Sequence, residues 1–266
     1  MNSGAAIESA SPEDAFAIYG LLAQAFGESY LKFTVYQSPR TAAFLAEQIA
    51  ATQADGHPSF FVLRRDGELQ GYYQAVDRGG EFFLNYIATH VAARRNGTGR
   101  LLLNHFEATG AAMGCISVGL EVFRSNAAAT AWYKRQGYRT QSTRFLARFD
   151  LASFAAAEGP GLELDSAVLG LALKEEANRG FSRLHCTCSG EPVLLGFIDG
   201  VVCNIMEPLG MPALAVAPAV ARRFGASRRW LLAVGLETLA GVSPPESQEE
   251  ALYMTKPLAR TASGTR

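Results

Sequence analysis

Four cysteines in 266 residues are too few for a disulfide framework in a chain of this length. Cys115, Cys186, Cys188 and Cys203 are also unevenly spaced, so a reducing, cytoplasmic setting is expected. An excess of one charge is lacking too: the net charge is −1, which argues against a nucleic-acid binder driven by bulk electrostatics. No apolar run reaches about 18 residues, and no membrane span is expected. Met1–Ala10 lacks a basic region followed by an apolar run, so no secretory signal is read there. What is abundant excludes global disorder: 48% of residues are hydrophobic and 18% charged, enough to build a sizeable core.

Ser11-Pro12-Glu13-Asp14 reads as a helix start, with Phe16, Tyr19, Leu22, Ala23 and Phe26 at helical spacing behind it. A second helix is expected over Arg40–Gln53. Phe60–Arg64 and Leu69–Val76 flank the turn Arg65–Glu68 as a hairpin. A strand follows at Phe82–Thr89, then a helix at Arg100–Met113 and a strand at Ile116–Val122. The next helix is Asn126–Gln136, closed by Gly137. Two closing strands are expected at Tyr138–Thr140 and Thr143–Phe149. Asp150–Gly161 reads as a boundary, which divides the chain into residues 1–150 and 151–266. Beyond it, Phe181–Cys188 and Val193–Ile198 form a second hairpin. Ala221–Arg228 echoes Ala93–Arg100, a faint internal repeat or a chance likeness, and the run Arg222–Arg229 reads first as a helix surface and only otherwise as a degenerate phosphate loop. Ser243–Glu250 reads as polar and turn-like.

Arg94-Arg95-Asn96-Gly97-Thr98-Gly99-Arg100 carries the most chemistry. It lies between an apolar strand and an apolar helix. The first N–H groups of a helix lack intrahelical acceptors and sit at the positive end of its dipole. Glycines let a ligand approach that backbone closely. Three arginines beside a helix start oppose the dipole unless an anion joins them, and a phosphate or diphosphate is the natural occupant. A Walker loop is excluded, because Arg100-Leu101 stands where Lys-Ser/Thr is required. A dinucleotide fingerprint is disfavoured by Leu102 at the place of its third glycine and by the hairpin upstream.

Arg94-x-x-Gly97-x-Gly99 resembles the diphosphate loop of the GNAT superfamily of N-acetyltransferases, Gln/Arg-x-x-Gly-x-Gly/Ala. Asn126-x-x-Ala129-x-x-Trp132-Tyr133-x-x-Gln136-Gly137-Tyr138 resembles the family's Asn-x-x-Ala-x-x-Leu-Tyr-x-x-x-Gly-Phe. The resemblance covers about Ile7–Phe149. It implies a mixed, mostly antiparallel α/β (α+β) sheet flanked by helices. The remainder would be a smaller α/β domain, a degenerate part-copy of the first. It also implies acetyl-CoA as cosubstrate and no metal. The backbone of Ile87, Ala88 and Thr89 would pair with the pantetheine arm. Arg94, Arg95, Asn96, Gly97, Thr98, Gly99 and Arg100 would hold the diphosphate. Asn126 would bond the arm or simply cap its helix. Tyr133 would protonate the leaving thiolate, or serve only as a core tyrosine.

The acceptor implied is a small-molecule primary amine that attacks the thioester directly. Glu121 is the first candidate for its base, since an acid in an apolar strand is costly unless used or paired. Glu81 is another, and Tyr86 and His90 could line a water path. A non-catalytic acyl-CoA sensor remains the alternative. Residues 151–266 would cover the acceptor site, complete the sheet or make a homodimer. His185-Cys186-Thr187-Cys188 reads as a buried cysteine pair rather than a zinc site.

Overall fold

A computed structural model describes residues 4–55, 59–157, 159, 161–208, 213–234 and 244–258. Glu158, Pro160 and Ser243, which the sequence reading assigned to linkers and turns, lie outside them. Two compact units emerge. One holds the chain up to Gly27, Leu45–Thr143 and the chain from Leu252; the other holds Glu28–Phe44 and Arg144–Ala251. Among the described residues no helix is long and apolar enough to cross a membrane.

The chain runs β1 (Ala6–Ser9), α1 (Ala15–Leu31), α2 (Thr41–Ala54), β2 (Phe60–Arg65), β3 (Glu68–Asp77), β4 (Glu81–Thr89), α3 (Thr98–Ala112), β5 (Ser117–Phe123), α4 (Ala127–Arg135) and β6 (Arg139–Asp150). It continues as β7 (Leu162–Glu163), α5 (Ser166–Arg179), β8 (Phe181–Cys188), β9 (Glu191–Ile198), β10 (Val202–Pro208), α6 (Ala213–Phe224), β11 (Trp230–Val234) and β12 (Ser247–Pro257).

In the first unit the strand order is β1-β2-β3-β4-β5, then β12 from Leu252, then the start of β6. β1 to β4 are antiparallel and β4–β5 is parallel. Asp66 and Gly67, at φ 53° and 80°, make the tight β2–β3 turn whose twist suits a hairpin. Helix α3 seals one face with Leu102, Leu103 and Phe106 against Phe82, Leu84, Val118 and Leu120. Burying each such side chain is worth about 1.5–3 kcal/mol. The approach is close: a methyl group on Gly71 would stand 2.7 Å from Leu102, and one on Gly110 2.9 Å from Phe82. Tyr138 and Lys256 both bond Glu107, which ties α3 to β12.

In the second unit the order is β7-β8-β9-β10-β11, then the later part of β6 and the early part of β12, with β10–β11 parallel. Its core contains Leu184, Leu195, Phe197 and Ile205 from the sheet, Leu169 from α5 and Val216 and Val220 from α6. Cys186, Cys188 and Cys203 are buried there as free thiols. Burial pushes Cys203 up to about 12 and Cys186 to about 11. Arg228 holds Glu176 through two hydrogen bonds of 2.8 and 2.5 Å, both side chains being buried. The N–H of Gly200 adds a third bond to that carboxylate at 2.8 Å. Glu28–Phe44 belongs to this unit: Phe44 packs edge-on to Phe181 at 4.6 Å, and Arg40 bonds Asp199 at 2.9 Å.

Several sequence expectations are corrected. Phe16 is 74% exposed, because Pro12–Asp14 forms a short 3-10 turn and α1 begins only at Ala15; its buried stripe is Ala15, Ile18 and Leu22. The two closing strands are one, β6, whose polar Arg139–Arg144 stretch is an exposed strand. α5 is not anticipated; of α6 the sequence reading has only the run Arg222–Arg229 as a helix surface, and the helix in fact covers Ala213–Phe224, where Pro218 masks its period. The echo at Ala221–Arg228 is the last turn of α6 and the bend after it, not a loop that opens a helix. Ser247 opens β12, so the Ser243–Glu250 stretch is not simply a turn.

Candidate active site

The site is built where β4 and β5 part. Their ladder pairs Glu81 with Ser117 through Leu84 with Leu120 and then stops, although β4 runs on to Thr89 and β5 to Phe123. The cause is local. Opposite β3, Gln74 pairs with Tyr86 and Ala75 with Leu84, so Asn85 is a bulge that bends β4 away. One edge of Tyr86–Thr89 therefore faces an opening rather than a strand.

At the mouth of this opening the chain enters α3. Arg95 and Gly97 take left-handed φ values of 64° and 80°. For arginine this conformation is strained, and such strain gathers at ligand-binding loops. The N–H of Leu101 is the first in the helix to bond back, to Gly97 O at 3.0 Å. Those of Thr98, Gly99 and Arg100 have no intrahelical acceptor. The Thr98 hydroxyl is buried without a hydrogen-bond partner. Arg94, Arg95, Asn96 and Arg100 are exposed, and none of the three guanidiniums is in an ion pair among the described residues. N–H donors, an unused hydroxyl and three uncommitted cations fit an anionic group.

Glu121 lies one residue past the last β4–β5 pair. Leu120 and Val122 face the α3 core, so its side chain points to the opposite face of the sheet. Tyr86 is on β4 beside this vertex, with Phe26 of α1 edge-on at 6.3 Å. Asn126 caps α4, its Oδ1 accepting from Ala129 N at 3.1 Å. Tyr133 is buried among Trp132 and Tyr138, whose ring centroids are 4.9 and 5.7 Å away. Burial pushes its phenol up, so at neutral pH it holds its proton.

Two other sequence candidates are otherwise engaged. Glu81 accepts a hydrogen bond from Tyr253 and lies over Gly119, where a methyl group would stand 2.6 Å from its carboxylate. His90 Nδ1 accepts from Ala92 N at 3.3 Å as a cap of the short turn Val91–Ala93. Cys115 is buried at the foot of β5, as expected of a core residue. The bulge at Asn85 and the approach of Tyr253 escaped sequence reasoning. Neither carries a local signal, since one depends on strand pairing and the other on the chain's far end.

A mixed sheet that opens at a bulged strand above a glycine–arginine loop agrees with the fold that the sequence resemblance implies. Residues 19–138 match the family model for "Acetyltransferase (GNAT) family"; the chain carries an acetyltransferase domain of the GNAT family. No curated protein sequence matches the chain. Among solved structures it is similar to a tandem GNAT protein from the clavulanic acid biosynthesis pathway (TM-score 0.63, 12% identity, 96% of this chain and 99% of that one). It is similar also to GCN5-related N-acetyltransferases from Kribbella flavida (0.59, 14%, 96% and 71%) and Sphaerobacter thermophilus (0.58, 16%, 96% and 96%). At these identities the likeness is one of fold.

Proposed function

We propose that the chain transfers the acetyl group of acetyl-CoA to a primary amine of a small molecule by direct attack. The observation that carries this reading is the parted β4–β5 pair with the anion loop at its mouth. An arm that carries amides can add to the open edge of Ile87–Thr89 as a strand would. A diphosphate at the far end of that arm suits the N–H groups from Arg95 to Arg100, with Arg94, Arg95 and Arg100 adding charge-assisted bonds. Asn126 is both cap and neighbour of the arm.

The acceptor attacks as a free amine. Glu121, directly or through water, takes one of its protons. The nitrogen lone pair forms the new C–N bond, and the carbonyl electrons move to oxygen. That oxyanion is held by a backbone N–H of β4 near Ile87–Thr89. Collapse breaks the C–S bond, and the departing thiolate takes the phenolic proton of Tyr133. Burial raises this phenol above its usual value, so it enters the reaction protonated. In this reading the chemistry belongs to residues 1–150, and residues 151–266 are a degenerate copy.

The test is release of free thiol from acetyl-CoA with a broad panel of primary amines. Tyr133→Phe should lower kcat by about 10²-fold or more, the usual worth of a general acid, with KM for acetyl-CoA nearly unchanged. Glu121→Gln should lower the rate and regain part of it at higher pH, where more amine is unprotonated. An unchanged rate in either variant removes that residue from its role. Coenzyme binding without turnover of any amine would make the chain a coenzyme-binding sensor instead.

A further inference from the structure

Gln74 lies well inside β3, and Tyr73 and Ala75 on either side of it face the α3 core. Its own side chain therefore rises from the other face of the sheet, the face that carries Glu121. The bulge at Asn85 brings a third residue to that face. Leu84 packs in the α3 core, and an unbroken strand would send Tyr86 the same way. The extra residue turns Tyr86 over instead, opposite Gln74 in register and against Phe26 of α1. Gln74, Tyr86 and Glu121 thus form a row on three successive strands, with the tyrosine in the middle. Two strand spacings, about 10 Å, separate the Cα atoms at its ends before the parting of β5 is added. The amide oxygen of Gln74 is buried and meets no hydrogen-bond donor among the described residues. A buried oxygen left without a donor is costly, and this one stands beside the place where the acceptor would react.

We propose that Gln74 selects the acceptor: the amine that this chain acetylates carries a second, uncharged donor, a hydroxyl or an amide N–H, that bonds the Gln74 oxygen. The proposal rests on the acetyl-transfer reading above, in which Glu121 receives the reacting amine. With one end of the acceptor at Glu121 and the other at Gln74, the stretch between them crosses the ring of Tyr86. An aromatic ring there suits a short chain of methylene groups. A second ammonium is a poorer match, because one buried neutral oxygen does not offset the cost of taking that charge out of water. A plain alkylamine is poorer too, since it covers the oxygen without bonding it. The acceptor class is therefore an amino alcohol or amino amide, and not a diamine or an alkylamine.

Acceptors of matched length test this. Straight-chain ω-amino alcohols and ω-amino amides of three to six carbons are compared with the corresponding alkylamines and terminal diamines, each with acetyl-CoA and each read as kcat/KM. At the best length the amino alcohol or amino amide should exceed the alkylamine about ten- to hundredfold, the worth of a buried oxygen with and without its donor. The diamine should fall below it as well. Gln74→Leu should bring the amino alcohol and the alkylamine within about threefold of each other, with the Kd for CoA from calorimetry unchanged. Gln74→Met, which keeps the length of the side chain, serves in its place should that variant not fold. Gln74→Glu should turn the preference to the diamine, a reversal that loss of packing alone does not produce. Equal kcat/KM for amino alcohol, amino amide and alkylamine at every length overturns the proposal and leaves the acetyl-transfer reading intact. Equal losses for all acceptors in Gln74→Leu and Gln74→Met also overturn it, since Gln74 would then only support β3. Turnover of no amine at all defeats the acetyl-transfer reading itself, and the proposal with it.

Discussion

The two parallel strand pairs, β4–β5 and β10–β11, follow one plan and end differently. In the first unit the ladder runs from Glu81↔Ser117 to Leu84↔Leu120; in the second it runs from Val202↔Trp230 to Ile205↔Ala233. Each stops at a bulge, at Asn85 in β4 and at Met206 in β10. Past the bulge the chemistry diverges. Pro208 occupies the position of Ile87, and proline has no N–H to offer an added strand. Val234 occupies the position of Glu121. Between Pro208 and Ala213 the sequence reads Leu209-Gly210-Met211-Pro212, with one glycine and no arginine, where the first unit's sequence has three arginines. Strand pairing is a property of the backbone and the apolar pattern, so the same ladder forms with and without an arginine loop beside it.

The sharpest way to break this comparison is to count sites. Calorimetric titration with CoA should give one site per chain. Two sites would show that the second unit binds the coenzyme by some other means.

Next in size is the contrast between arginines. Arg228 is buried on Glu176, and Arg94 is exposed at the loop. Arg228→Ala leaves a buried carboxylate with its main partner gone and should cost about 3–5 kcal/mol of stability, read by chemical denaturation. Arg94→Gln should leave stability within about 0.5 kcal/mol. It should instead weaken CoA roughly ten- to hundredfold, the worth of a charge-assisted hydrogen bond of about 1.5–3 kcal/mol. A stability loss at Arg94 without a change in affinity would reverse the assignment of charge to fold and to ligand.

The first unit was legible because its signals are local. Asp66-Gly67, Asn126 and Gly137 act within a few residues of themselves, and Asn126 and Gly137 stand at the ends of α4 as the sequence reading expected. The anion loop was legible for the same reason: a helix start, glycines and arginines are contiguous. The rest depends on partners far along the chain. The bulge at Asn85 exists only relative to β3. That Glu28–Phe44 packs in the second unit and that the chain from Leu252 packs in the first has no local signature. In the second unit Pro218 hid all of α6 but its end at Arg222–Phe224, and the echo of Ala93–Arg100 at Ala221–Arg228 matches short strings rather than equivalent places in the fold. The likeness of the two halves lies in strand register, 84 with 205 and 120 with 233, and not in residue identity.

The smallest effects separate backbone need from ligand need within the loop. Gly97 has φ 80° and open space around it, so Gly97→Ala meets strain and no clash. It should cost about 1–2 kcal/mol, the penalty of a left-handed residue with a side chain, and loosen CoA by distorting the cradle. Gly99 is the second residue of α3, in ordinary conformation with room for a methyl group. Gly99→Ala should therefore stabilise the fold by up to about 1 kcal/mol, which a denaturation curve can resolve. What it does to CoA is the finer measurement. Affinity within about threefold, or about 0.7 kcal/mol, means that the diphosphate is held by N–H groups and arginines with the glycine as a bystander. Abolished binding in a stabilised protein would mean that the ligand itself fills the space beside Gly99. The corner between Thr89 and Trp132 would then be part of the diphosphate's own site.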